Sequence, residues 1–397
     1  MLFSIVPTGT VQAQECDGTR YFDPLLFGVQ QTNAVLFGSN TAVGGGDQPL
    51  YMDVYEPMGD QLEQRPVVIV AFGGSFIAGS RTDVSLICIQ LARRGFVAIA
   101  PDYRTGLFLP DGQGTMLAVM RATHDLKAAV RYLRRSVAEE SNPWRIDPDR
   151  IIIGGVSAGA IGALHAAYLD QEDEMPPILQ PIAPSIGGVE GFSGNEGYSS
   201  EVAGCFSLSG AIGDTAWIDA GDPPLLSIHE TEDPLVPYFT QEVVIEGLAT
   251  GLIASGGHDI HLRAEHVGVS NCLLTYQSDQ HVGYLVNDAT AAMDFIYDRS
   301  GELVCDNDAG CSGLIAGIHD RNNEPLIVYP DPADKRITVP ISAPASITIN
   351  DAAGRSVLAL RLLPADPSID VSHLPSGTYY VRIEGGPARA GRFVIAR

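Results

Sequence analysis

Five residues carry the clearest chemical signal: Gly155-Val156-Ser157-Ala158-Gly159. They follow the apolar run Ile151-Ile152-Ile153 and precede a helix-like stretch over 158–169. A strand that turns sharply into a helix through Gly-x-Ser-x-Gly lifts the serine hydroxyl clear of the sheet. Glycines are needed because side chains beside the serine would collide at such a turn. Ser157 is therefore a candidate nucleophile, and the helix after it turns its positive end toward the hydroxyl. A serine needs a base, and the base an orienting acid, here in the chain order Ser, Asp/Glu, His.

The acid is expected in a loop after a later strand. The apolar run 224–229 is such a strand, and Glu230-Thr231-Glu232-Asp233-Pro234-Leu235-Val236-Pro237-Tyr238 follows it. Asp233 is the candidate because Pro234 and the coming helix-like stretch fix the loop around it. Glu230 and Glu232 are rivals, read as solvated loop acids. The base is expected after the last strand, 273–276. There Ser278-Asp279-Gln280-His281-Val282-Gly283 offers His281. The other eight histidines are placed differently. His124 and His165 fall in helices, His229 ends the strand before the acid, and His258, His261 and His266 precede the last strand. His319 and His373 lie beyond the domain.

The oxyanion of acyl transfer needs backbone N–H donors, each worth about 10²–10³ in turnover. Ala158 supplies one candidate N–H. Gly73 and Gly74, in Phe72-Gly73-Gly74-Ser75-Phe76 after the strand 67–71, supply the others. Phe72, Ser75 and Phe76 are candidate substrate-binding residues. Phe108 and Trp217 are further candidates for an apolar pocket, with Trp217 read as core. A histidine base must be neutral, so activity is expected to rise with pH through the ordinary imidazole range, about 6 to 7.

These residues need a rigid scaffold, and the pattern supplies one. Short apolar runs at 50–55, 67–72, 97–101, 151–155, 205–208, 224–229 and 273–276 alternate with amphipathic stretches at 83–94, 116–140, 158–169, 235–251 and 287–299. Continuous hydrophobic strands mean both faces are covered, and the alternation predicts a mostly parallel sheet flanked by helices. Residues 171–200, rich in Pro, Gly, Ser and Glu, break the rhythm; they are read as a cap, a pocket wall or a solvated excursion. After 300 the runs become short and alternating, which predicts a small β-sandwich. The expected organisation is a signal remnant at 1–14, an α/β domain at 15–300, a linker at 301–324 and the sandwich at 325–397.

Composition narrows the function. The chain has 397 residues, 45% hydrophobic and 18% charged, so it can bury a sizeable core. Its net charge of −24 disfavours nucleic acid and anionic membrane surfaces. Eight basic and six acidic residues give 325–397 a charge of +2, leaving −26 for the rest. No run reaches the roughly 18 apolar residues of a membrane span, so no integral span is expected. Val11-Gln12-Ala13 reads as the end of a secretory signal. Six cysteines are compatible with export and allow 15 pairings. Cys305 and Cys311 could close a small loop, and Cys16 and Cys88 could tie the amino-terminal segment to a helix. Cys205 and Cys272 read as buried thiols. No Cys/His spacing fits a zinc site, so no metal is expected.

On these motifs, residues 50–300 resemble the α/β-hydrolase superfamily, in its carboxylesterase and hormone-sensitive-lipase-like branch. The carriers are the Ser157-Ala158-Gly159 elbow, the Gly73-Gly74-Ser75-Phe76 loop, Asp102-Tyr103-Arg104, and the loop from Asp233 to Tyr238. The branch usually has a histidine where Phe72 stands. The resemblance implies the α/β-hydrolase fold and serine-dependent hydrolysis of carboxylic esters through an acyl-enzyme, without a cofactor. Polysaccharide acetyl or feruloyl esters, lipids and polyesters are all substrates open to an exported esterase, and the sequence does not choose among them. The last seventy residues resemble the sorting domain of the Bacteroidetes type IX secretion system. The matching pieces are 328–333, 349–355, 369–382 and 392–397, with Asp331 where that family usually has Asn. That resemblance implies type IX machinery as partner and a secreted or surface-attached protein. Two alternatives stand beside it. A serine peptidase of the prolyl-oligopeptidase type usually carries a β-propeller first, and fewer than fifty residues precede the domain here. A non-catalytic surface binder usually lacks the serine or the histidine.

Overall fold

The apolar runs assemble into one eight-stranded sheet, which is what sets the candidate residues along a common edge. The computed structural model describes residues 16–107, 111–245, 248–306, 328, 333–339, 341, 344–351, 355–364, 367–384 and 389–395. The readings placed on 1–14, Phe108, Cys311, His319 and 307–324 lie outside the described residues. Two units are resolved, Met1–Gly317 and Ile318–Arg397.

In the first unit, β1 (Gly28–Thr41), β2 (Asp47–Met58), β3 (Arg65–Ala71), β4 (Val97–Pro101), β5 (Ile146–Val156), β6 (Gly204–Leu208), β8 (Leu225–Glu230) and β11 (Asn271–Tyr276) share a sheet in the order β1-β2-β4-β3-β5-β6-β8-β11. From β4 to β11 every neighbour is parallel, while β1 and β2 are antiparallel. Every residue of β3, β4, β6 and β8 is buried, as two covered faces require. Helices α1 (Ser85–Arg93), α2 (Gly112–Glu139), α3 (Ala158–Tyr168), α4 (Ala183–Ile186), α5 (Gly257–Val267), α6 (Tyr284–Asn287) and α7 (Ala289–Asp306) complete the unit. The sheet is the mostly parallel, helix-flanked one expected. Strand β1 escaped the sequence pattern because its residues are largely exposed and its one apolar run, Ala34 to Phe37, is short and flanked by polar residues.

One predicted element is wrong. The stretch 235–251 is no helix. It contains β9 (Gln241–Ile245) and the start of β10 (Leu248–Gly256), which pair antiparallel. The run of β-branched Val243, Val244 and Ile245 favours a strand. Gly251, at φ +75, sits inside a register shift that no helix would allow. The short β7 (Ala211–Ile212) pairs with the end of β10.

Residues 171–200 bind to α2 as a strap: Glu190 pairs with Lys127 at 2.9 Å and Arg131 at 2.7 Å. The helix at 287–299 continues to Asp306, so the first six residues read as linker are helical. Leu303 and Val304 are buried there, and Cys305 bonds to Cys16 across 289 residues. That bridge replaces both expected pairings of these cysteines. Cys88 and Cys205 are buried thiols, whereas Cys272 is disulfide-bonded, not a thiol. No helix among the described residues is long and apolar enough to cross a membrane.

The second unit has a four-stranded antiparallel sheet, β14 (Ser356–Leu362), β13 (Ala345–Asp351), β16 (Gly377–Glu384) and β17 (Arg389–Ile395), and a pair, β12 (Arg336–Thr338) with β15 (Ser368–Asp370). Ile337 and Ile369 from the pair share one core with Ile347, Ile349, Val381 and Phe393 from the sheet. This is a small sandwich.

Candidate active site

The site lies along the carboxyl ends of β3, β5, β8 and β11. Ser157 sits between β5 and α3 at φ +54, ψ −119, a conformation that costs an ordinary residue about 1–3 kcal/mol. Its N–H donates to Leu208 O at 2.8 Å, and its carbonyl accepts the first helical bond from Ile161. Gly159 is required by close approach: a Cβ there would stand 2.3 Å from Ala71 O. The elbow is thus pressed against the end of β3.

The structure brings the three candidate triad residues together. His281 Nε2 is 2.7 Å from Ser157 Oγ, and its Nδ1 is 2.7 Å from Asp233 Oδ2. A carboxylate accepts only, so Nδ1 carries the proton and Nε2 is free to accept from the serine. The Asp233 side chain is wholly buried and that of His281 only 13% exposed. Asp233 Oδ1 accepts the Leu235 and Val236 N–H groups at 2.9 Å each. Burial alone would raise the Asp233 pKa. Hydrogen bonds from His229 and His281, and from Val236 N–H, prevail and hold it well below the usual carboxylate range.

Two buried residues flank the acid, His229 at the strand end where the sequence places it and Glu230, which reads in the sequence as a solvated acid. His229 is 1% exposed, and its Nδ1 accepts Gly257 N–H at 3.1 Å. Its proton is therefore on Nε2, which lies 3.2 Å from Val236 O and 3.6 Å from Asp233 Oδ2. Glu230, read as a solvated acid, is 1% exposed and accepts Gly283 N–H at 2.8 Å. It closes a strand whose every residue is buried. Glu232 is exposed, as expected.

The glycine loop lies against the elbow. A Cβ on Gly73 would stand 3.4 Å from Ser157 Cβ. Gly74, at φ +120, accepts Ile77 and Ala78 N–H groups on its carbonyl. Among the described residues, the N–H groups of Gly73, Gly74 and Ala158 have no hydrogen-bond acceptor. Ser75 and Phe76 line the adjoining cavity. Phe72 does not: it is 2% exposed and stacks on Tyr103 at 4.2 Å, so it belongs to the core. A flanking position in a strand-end sequence cannot reveal which way the ring turns. Trp217 is 8% exposed and packs edge-on to His165, as a core residue.

The cavity holds about 320 Å³. Ser157 and Ala158 form one wall; the rest is largely aliphatic. The first turns of α2 give Met116 and Val119, β7 gives Ile212, and the β9–β10 hairpin gives Val243, Val244, Leu252 and Ile253. Four lining residues, Ile77, Leu235, Val244 and Ile253, are 47–59% exposed and form an apolar rim.

Residues 52–188 match the family described as BD-FAE, and residues 327–396 match the Secretion system C-terminal sorting domain. The probable carboxylesterase M8 of Phoma sp. is 31% identical over 150 residues, covering 35% of this chain and 44% of that protein. The fumonisin B1 esterase of Sphingopyxis macrogoltabida is 28% identical over 177 residues, covering 41% and 30%. The chain thus spans less than half the length of these relatives. The native structure of esterase 2 from Thermogutta terrifontis superposes with a TM-score of 0.48 at 20% identity, covering 76% of this chain and all of the other. The chain thus carries a BD-FAE match within its mostly parallel, helix-flanked unit and a secretion sorting-domain match in its carboxy-terminal unit. The second module marks it for the cell exterior or surface.

Proposed function

We propose that this is an exported serine carboxylesterase. The observation that carries the reading is His281 bridging Ser157 and Asp233 through two 2.7 Å contacts. In the first half-reaction His281 Nε2 takes the Ser157 proton as Oγ bonds to the ester carbonyl carbon. The negative charge on the carbonyl oxygen is met by the N–H groups of Gly73, Gly74 and Ala158, which have no other acceptor among the described residues. The carbon–oxygen ester bond then breaks, and the alcohol leaves with the proton from Nε2. In the second half a water gives its proton to His281 and attacks the acyl carbon; the acid departs and Ser157 regains its hydrogen. Asp233, held ionised by its donors, stabilises the imidazolium formed twice in the cycle.

The cavity supports an apolar acyl or alkyl group as the part of the substrate bound beside Ser157. At about 30 Å³ per water-sized unit, 320 Å³ admits roughly ten such units, far more than an acetyl group fills. The sorting module engages type IX machinery during export.

Hydrolysis of p-nitrophenyl esters from acetate to palmitate, by wild type and Ser157→Ala, tests the reading. Activity with an optimum at medium chain length, lost in the variant, supports it. Folded protein that cleaves no ester overturns it, and cleavage of peptides instead would make it a peptidase.

A further inference from the structure

The mechanism uses Asp233 but leaves a second buried carboxyl beside it unexplained. Glu230 ends β8 next to His229, and successive strand residues point to opposite faces. His229 faces the acid loop, with Nε2 toward Val236 O and Asp233. Glu230 reaches the other loop, the one carrying His281, and accepts Gly283 N–H at 2.8 Å. Its second oxygen, Oε2, is buried and among the described residues has no hydrogen-bond partner in good geometry. A buried carboxyl left half-satisfied is costly and calls for a reason.

The loop it holds is strained. Val282, directly after His281, stands at φ +51, a conformation that a β-branched residue adopts only when its surroundings impose it. Gly283, the next residue, donates to Glu230, so the strained residue is pinned between the base and a buried acceptor. We propose that Glu230 is a positioning residue for the base: it holds the His281 loop in its strained form and sets a second negative charge behind the imidazole. The proposal rests on the esterase reading above.

The groups facing Glu230 fit this role. Burial raises its pKa; Asp233 adds to the rise, while the Gly283 and Val282 N–H groups and His281 oppose it. Tyr276 from β11 and Tyr284 from α6 also sense its charge. Tyr276 donates its hydroxyl to Asp288, however, and the Tyr284 hydroxyl lies 3.0 Å from Ser209 Oγ. Neither serves Glu230, so the Gly283 N–H is its principal partner.

Two substitutions separate the holding from the charge. Glu230→Leu removes both, and Glu230→Gln keeps an acceptor of the same shape without the charge. The measurement is kcat and KM on p-nitrophenyl butyrate from pH 5 to 9, with thermal melting to verify folding. Displacing a reacting group by about 1 Å can cost about 10²-fold. Glu230→Leu is therefore expected to lose about 10- to 100-fold in kcat with KM changed less than about threefold. Glu230→Gln is expected to keep kcat within about threefold at pH 8. Its acid limb should move to lower pH, because a lost carboxylate no longer favours the imidazolium. A folded Glu230→Leu with wild-type kcat overturns the proposal. So does an acid limb in Glu230→Gln that coincides with wild type, and that variant decides alone if the leucine form does not fold. Wild type without Ser157-dependent hydrolysis would instead sink the esterase reading itself.

Discussion

The site has two halves built on different principles. One half is polar and rigid: Ser157, His281 and Asp233 stand on the carboxyl edge of the sheet, tied by short hydrogen bonds and by backbone donors. The other is apolar and added on: a hairpin, the first turns of α2 and a scrap of strand enclose the cavity. On the proposed function, the first half carries out the reaction and the second selects the ester. Substitutions in the two halves should therefore differ in kind as well as in size.

The largest effects belong to the polar half. Ser157→Ala and His281→Ala should each lower kcat on a p-nitrophenyl ester by about 10⁴-fold or more, and combining them should add little, since they act as a unit. Asp233→Asn should cost about 10⁴-fold in kcat because the amide turns the imidazole to the wrong tautomer. Next comes the glycine loop. In Gly74→Ala the new Cβ would stand 2.3 Å from Ala78 O, and φ +120 is closed to alanine. The loop must shift, and kcat should fall about 10²-fold with little change in KM.

The apolar half should respond in selectivity. Val243→Trp fills part of the hairpin wall. It should spare kcat/KM on butyrate within a few-fold and lower that on octanoate about tenfold, as read from a chain-length series. An equal loss on both esters would mean that the hairpin supports the triad and the two halves are one.

A further effect, on stability and not on turnover, lies outside both halves of the triad–cavity division. His124 and His165 are buried and neutral, each with its pKa pushed down by burial to about 4. The unfolded chain takes up protons on these groups below about 6.5, and the folded chain does so only near 4. Stability is therefore full above about 6.5 and is lost as pH falls toward 4, by roughly 3 kcal/mol for each histidine. Urea unfolding midpoints at pH 7, 6, 5 and 4 check the sign; a midpoint that rises on acidification contradicts it.

How far the sequence led follows the same division. The polar half was legible because its residues obey order and flanks: Ser157 between an apolar run and a helix, Asp233 and His281 each in a loop after a strand. The strands themselves were legible because both their faces are buried. The apolar half was not. Residues 235–251 have spacing that a helix could also use, and only the β-branched run and Gly251 point to the hairpin. Glu230 was missed because an acid just past an apolar run looks the same whether its carboxyl faces water or a backbone N–H. Phe72 was assigned to the pocket because sequence gives the position of a ring and not its rotamer. The Cys16–Cys305 bridge joins residues 289 apart, and no local pattern encodes such a contact.

The most direct test of the account is labelling with an alkyl fluorophosphonate, followed by peptide mapping. The Ser157 oxygen bonds to phosphorus and fluoride leaves, with His281 taking the proton. The account predicts one adduct per chain, on Ser157, formed in step with the loss of esterase activity and slowed at least 10³-fold in His281→Ala. An adduct on another residue, or none on folded protein, would contradict it.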